Sequence, residues 1–164
     1  MISPDITLAR LRRFLLCLSV LLLGGTVVEL LLVNHKEDVV QLIPFFLCGL
    51  GVIATLLVLV RPRRGTLLVL RVCMGLVICG SIFGIYEHFA NNVAFQREIK
   101  PNTPMSEALM SAIAGANPLL APGTLAVAAV LALAATYYHP ALDKNNQEGK
   151  QSNPVKTPGQ ARMY

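Results

Sequence analysis

The feature that most constrains this chain is a set of four long apolar runs separated by short charged segments. The runs cover approximately residues 14–33, 42–60, 66–89 and 118–138. A helix needs roughly 20 apolar residues to cross a hydrocarbon core of about 30 Å, so each run is long enough to span a membrane. Because backbone groups that face lipid must bond within their own segment, the spans are expected to be α-helices.

The composition is that of an integral membrane protein. Of 164 residues, 54% are hydrophobic and 14% are charged, and the charges fall mostly between the apolar runs. We therefore predict an all-α fold, with a four-helix transmembrane domain over 1–138 and a polar cytoplasmic tail over 139–164. The tail is rich in Pro, Asn, Gln and Lys, a composition that cannot bury enough apolar surface to order itself.

Basic residues predict the orientation of the spans. On one side they are Arg10, Arg12, Arg13, Arg61, Arg63, Arg64, Lys144, Lys150, Lys156 and Arg162. The opposite side has only Lys36, Arg97 and Lys100. Since basic loops stay in the cytoplasm, both termini are expected there, in a cell membrane of the bacterial inner-membrane type. Because these residues lie in separate short segments, a nucleic-acid partner is not expected.

The segment 90–117, between the third and fourth runs, is predicted to lie outside. Ile85, Phe89 and Val93 keep helical spacing, so the third helix is expected to continue into the aqueous phase until Pro101 stops it. The stretch TPMSEALMSAIAGA then has the caps and the apolar spacing of a helix. We predict a short outer amphipathic helix there, lying on the membrane or on a partner.

Small residues recur at helical spacing in every run and predict close helix packing. The third run has the GxxxG pair Gly80 and Gly84, the first run has Gly25, and the fourth has Ala128 and Ala132. Small residues let neighbouring backbones approach closely, so these positions are expected to pack against other helices of this chain or of foreign subunits. The GxxxG pattern is common in membrane helices and indicates no particular function.

Four ionisable residues are expected at the outer ends of the spans: Glu29, His35, Glu87 and His88. They could form one polar cluster that exchanges protons, binds a metal, or gives a haem or pigment an axial ligand at His88. They could equally be interfacial anchors bonded to neighbouring helices and loops. No HxxxH or ExxH spacing fixes a metal geometry, and the sequence requires no cofactor.

Signatures of enzymes are absent from the sequence. It contains no glycine-rich phosphate loop, no GxSxG and no HExxH. We therefore predict a non-catalytic accessory or structural subunit of a larger membrane protein complex, which contacts other integral membrane subunits and docks by its outer segment and tail. The alternative is a small homo-oligomeric transporter, coupled to protons or ions through Glu29, Glu87 and His88.

Overall fold

The computed structural model describes residues 3–36 and 38–142. Its helices are α1 (Pro4–Leu32), α2 (Val39–Val60), α3 (Arg64–Ile99), α4 (Met105–Ile113) and α5 (Gly123–Ala135), followed by a 3-10 turn at Pro140–Leu142. No strand occurs in this part of the chain, which confirms the all-α prediction for it. Beyond Leu142, the predicted tail lies outside the described residues.

Three helices, α1, α2 and α3, are long and apolar enough to cross a membrane. α1 covers the predicted run at 14–33 up to Leu32, α2 and α3 contain the runs at 42–60 and 66–89, and all three support the assignment to membrane proteins. α1 begins ahead of its run because Pro4 occupies the first helical position. Proline is favoured there, since its fixed φ suits a helix and its missing N–H has no partner to lose.

The fourth predicted run, 118–138, differs from the expectation of a full-length helix. Only Gly123–Ala135 is α-helical, and its 13 residues rise about 20 Å against a core of about 30 Å. Pro118 and Pro122 lie at one end, where the backbone forms successive turns instead. At the other end Tyr138 has a φ of 45°, which a right-handed helix cannot contain.

Four of the helices form a ring in which α1 and α3 each pack against both α2 and α5. Short connections make α1 and α2, and α2 and α3, antiparallel. α5 runs opposite to α3, since its start bonds to Ser81 and its end bonds to Arg71. Buried side chains at the centre are Ala128, Ala129 and Ala132 of α5, with Leu23 of α1 and Met74 and Val77 of α3. The alanines carry no long side chains, so the backbone of α5 lies close to its two neighbours.

Two arginines hold the C-terminal end of α5. Arg71 Nε donates to the Thr136 hydroxyl at 3.0 Å, and Arg71 Nη2 donates to the Thr136 carbonyl at 3.1 Å. Arg12 Nη2 donates to the carbonyl oxygens of Tyr138 at 2.8 Å and Tyr137 at 3.3 Å. Carbonyls at the end of a helix lack intrahelical donors and carry partial negative charge, so both guanidinium groups stabilise this end.

Glycines mark the closest approaches between elements. A Cβ at Gly80 would overlap the Leu47 side chain of α2, and a Cβ at Gly84 would lie 3.1 Å from Cβ of Pro122. At Gly25 nothing in the described part of the chain lies within 4 Å of an added Cβ, and the residue is exposed on the outside of α1. Gly80 and Gly84 therefore contact other parts of this chain, and Gly25 does not.

Replacing Gly80 or Gly84 with Leu is expected to lower the free energy of unfolding of the isolated chain by about 1–3 kcal/mol, because the added side chain overpacks a filled contact. Gly25→Leu is the matched control and should leave this free energy unchanged. The measurement is the unfolding of the three variants, purified singly in detergent. Equal destabilisation by Gly25→Leu and Gly84→Leu would contradict the packing described.

Candidate functional site

α3 is longer than a membrane is thick and projects from one end of the helix ring. Its 36 residues rise about 54 Å, against a hydrocarbon core of about 30 Å. The ring of His35, in the loop after α1, lies beside that of His88 of α3, with 6.5 Å between their centroids. The α1–α2 loop is therefore level with His88, and α3 continues about 16 Å beyond it to Ile99.

Asn92 attaches the segment after α4 to this projection. Its side chain is only 1% exposed, and its Nδ2 donates to the carbonyl oxygens of Ala112 at 3.0 Å and Asn117 at 2.8 Å. Its Oδ1 accepts the backbone N–H of Asn117 at 2.9 Å. Gly115 lies so close that a Cβ there would overlap the Asn92 amide. One side chain therefore bonds three backbone groups. It is the partner of both Asn117 groups and a second donor to the Ala112 carbonyl, which also accepts the Gly115 N–H at 3.2 Å.

The same face of α3 holds the rest of the connection to α5. His88 Nδ1 lies 3.0 Å from the Pro118 carbonyl, and since a carbonyl only accepts, Nδ1 carries the proton. The Ser81 hydroxyl donates to the Pro122 carbonyl at 2.7 Å, beside the contact of Gly84 with the same proline. We refer to Ser81, Gly84, His88 and Asn92 as the α3 clamp, because together they fix the connection along α3.

Neither Ser81 nor Asn92 is among the residues predicted from sequence. Their spacing from Gly84 and His88 is the signal that could identify them, since residues three and four apart share one face of a helix. Single serine and asparagine residues are common on exposed helix surfaces, however, so their type alone indicates no contact. The contacts of the α3 clamp can be identified only from a structure, which gives the positions of the carbonyl groups that they bond.

His35 is positioned by the way α1 ends. The N–H of His35 donates to the Leu30 carbonyl at 2.9 Å, and the N–H of Asn34 donates to the Leu31 carbonyl at 3.2 Å. This pair of bonds is the Schellman motif, which needs a left-handed residue just past the helix. Asn34 supplies it with a φ of 53°, a conformation that asparagine tolerates better than most residues.

The structure brings together two of the four predicted polar residues, His35 and His88. Glu29 is exposed on the outward face of α1, and Glu87 is partly buried on α3. Neither carboxylate has a hydrogen bond or an ion pair within residues 3–36 and 38–142. In the same part of the chain, no group of three or more His, Cys, Asp or Glu residues is placed to hold a metal ion.

Asn92→Leu is expected to release α4 and the following segment from α3. The variant removes both hydrogen bonds of Asn117 and one of the two that the Ala112 carbonyl accepts, and each lost bond costs about 0.5–1.5 kcal/mol. Amide hydrogen exchange over residues 105–117 measures the release and should rise at least about tenfold while α1 and α2 stay protected. Asn92→Asp puts a carboxylate oxygen against the carbonyls of Ala112 and Asn117, which repel it, so at least as large a release is expected. Unchanged exchange in both variants would contradict the role of Asn92.

Acid is expected to loosen the α1–α2 loop. Partial burial, and then the neighbouring charge of His88, lower the pKa of His35 below its usual value of 6.5. As the pH falls through about 6.5, the unfolded chain therefore takes up a proton before the folded chain does, and stability decreases until the folded pKa is passed. Exchange of the Lys36 amide between about pH 7.5 and 5.5, corrected for intrinsic rates, measures this effect. His35→Gln should flatten the dependence, and an unchanged profile would contradict the assignment.

Comparison with known proteins found no matching family model, no similar curated protein and no similar solved structure. The basis for a functional proposal is therefore the geometry itself. It consists of an overlong helix α3, a short helix α4 fastened to its projection by Asn92, and a carboxylate on the outward face of α1.

Proposed function

We propose that this chain is a non-catalytic accessory or structural subunit of a larger membrane protein complex. Its transmembrane domain crosses a cell membrane, of the bacterial inner-membrane type, four times. α5 and its flanking turns are the fourth span. Pro118 bonds to His88 and Thr136 bonds to Arg71, so the segment between them follows α3 for about 26 Å, close to the thickness of the core.

The orientation of the proposed spans has both termini in the cytoplasm. Basic residues collect where α1 begins and where α2 meets α3, and Arg12 bonded to Tyr138 brings the end of α5 to the same side. The positive-inside rule assigns such an end to the cytoplasm. The projection of α3 and all of α4 are then on the opposite side of the membrane.

The observation that carries this proposal is the direction in which α4 points its side chains. The residues of α4 that are buried are the small ones, Ala108 and Ala112. Its large apolar residues face away from the chain: Met105, Leu109, Met110 and Ile113 are all exposed, Met110 by 70%. We call these four residues the α4 apolar face. An amphipathic helix normally buries its large apolar residues, so this face is built to be covered by something else.

Lipid is a poor candidate to cover the α4 apolar face. α4 follows α3 after a short connection and folds back along it, because Ala112 near its end bonds to Asn92. A helix that lies along the projection of α3 stands upright, whereas a helix that binds a membrane surface lies flat on it. α4 lies beside the part of α3 between Asn92 and Ile99, about 6–16 Å past the α1–α2 loop, whereas head groups add only about 5–8 Å per side.

The occupant of this face is therefore a protein that offers an apolar groove outside the membrane. Met105, Leu109 and Ile113 are spaced by four residues, the spacing with which an amphipathic helix enters such a groove. The two methionines suit this role because their flexible thioether side chains adapt to irregular surfaces. The adjacent projection of α3 adds the exposed side chains of Phe95 and Ile99.

The double variant Leu109→Gln/Ile113→Gln is expected to detach the chain from its complex. The variant removes apolar contact area from the α4 apolar face and leaves Ala108, Ala112 and Asn92 in place. The matched control is Ser106→Gln/Glu107→Gln, which changes two exposed polar residues of the same helix. Tagged chains are expressed at native level, extracted from their own membrane in mild detergent and separated by native mass.

Wild type and control should migrate with a large assembly, and at least about tenfold less of the Leu109→Gln/Ile113→Gln chain should do so. Unfolding of each purified chain, measured separately, should be unchanged because all four positions are exposed. A wild-type chain that migrates alone, or only with copies of itself, would overturn the proposed function.

A further inference from the structure

One side of α1 faces away from the other described helices and includes the carboxylate of Glu29. Leu21, Gly25, Glu29 and Leu32 lie on one side of α1, opposite the buried residues Ser19 and Leu23. We call these four residues the α1 outer face. Leu21 is 69% exposed and Leu32 is 81% exposed, as lipid-facing leucines can be. Glu29 is also exposed on this face, although α1 is an apolar helix long enough to span a membrane.

A carboxylate in this position needs a partner. Glu29 is three residues from the end of α1, so it lies about 4–5 Å along the helix from Leu32, and its side chain is too short to reach far. Ionisable side chains in membrane spans almost always pair with another group, because hydrocarbon solvates charge poorly. Within residues 3–36 and 38–142 Glu29 has no such partner, and the nearby Lys36 does not bond to it.

The helical turn that precedes Glu29 leaves room for another helix to pack closely against α1. Gly25 precedes Glu29 by four residues, and nothing in the described chain lies within 4 Å of a Cβ placed there. Gly24, Gly49 and Gly75 are equally open, but none of them precedes a carboxylate by one helical turn, as Gly25 does. Gly25 therefore leaves an open approach to the backbone of α1, of the kind that two packed membrane helices use.

From these observations, and resting on the proposed function, we propose that the α1 outer face binds a transmembrane helix of a partner subunit that places a lysine or arginine at the depth of Glu29. Charge complementarity selects this occupant. In a symmetric pair of identical chains the same face would present a second Glu29, and two carboxylates repel. Anionic lipid head groups would repel this carboxylate as well, and neutral hydrocarbon would leave it unpaired.

The test uses the full chain in its own membrane, with a photo-crosslinking amino acid at Val28, which is exposed beside Glu29. Crosslinked products are identified by mass spectrometry. The expected product joins Val28 to a membrane span of another protein with a lysine or arginine in the outer half of the bilayer. Glu29→Gln should lower its yield about tenfold, and Glu87→Gln, which changes a carboxylate on α3 outside this face, should not. Exchanging the two charges, Glu29→Lys with the partner's basic residue changed to Glu, should restore it.

Several results would overturn the proposal. Crosslinks only to lipid, to a second copy of this chain, or to a span without a basic residue would each do so. An unchanged yield in Glu29→Gln would do the same, provided that the purified variant unfolds as wild type does. If Leu109→Gln/Ile113→Gln releases the chain from its assembly and Glu29→Gln has no effect, this inference fails and the proposed function stands. If the wild-type chain has no partner at all, both fail.

Discussion

A helix that is longer than the bilayer is thick determines the layout of this protein. α3 rises about 54 Å against a hydrocarbon core of about 30 Å, so part of a membrane-crossing α3 must leave that core, and basic residues around Arg64 lie at its other end. The face of α3 that carries the α3 clamp then binds the returning chain from Ala112 to Pro122. This connection needs such contacts, because backbone without regular structure must have its polar groups satisfied near a membrane.

The same arrangement accounts for the two surfaces proposed to bind partners. The small residues Ala108 and Ala112 let α4 lie close to α3, and the larger residues are consequently directed outward. In the helix ring, the alanines of α5 likewise draw α1 inward on one side, which leaves Gly25 and Glu29 on the other. Close packing inside the chain thus leaves the large apolar residues of α4 and the carboxylate of α1 exposed, and in the proposed orientation these would face water and lipid respectively.

Hydropathy and length were enough to predict α1, α2 and α3, because a span of about 20 apolar residues has few alternative structures. The same reasoning overestimated the length of the fourth helix. Pro118, Pro122 and the left-handed Tyr138 shorten it, and a count of apolar residues does not take backbone conformation into account. The positions of His35 and His88 relative to the apolar runs also indicated that the two residues lie at the same end of the spans. The sequence pattern could not indicate that Glu29 faces outward, because the direction of a helix face depends on which neighbours pack against it. Proton exchange among Glu29, Glu87 and His88 stays a prediction.

The most direct test of the account is whether the α4 apolar face is covered by protein in the native membrane. A cysteine introduced as Ile113→Cys can be labelled with a water-soluble thiol reagent, since the chain's own cysteines all lie in the apolar helices α1, α2 and α3. Slow labelling is expected in the native membrane, and fast labelling when the chain alone is placed in lipid vesicles. Equally fast labelling in both would contradict a partner, and protection in both would show that α4 lies on lipid.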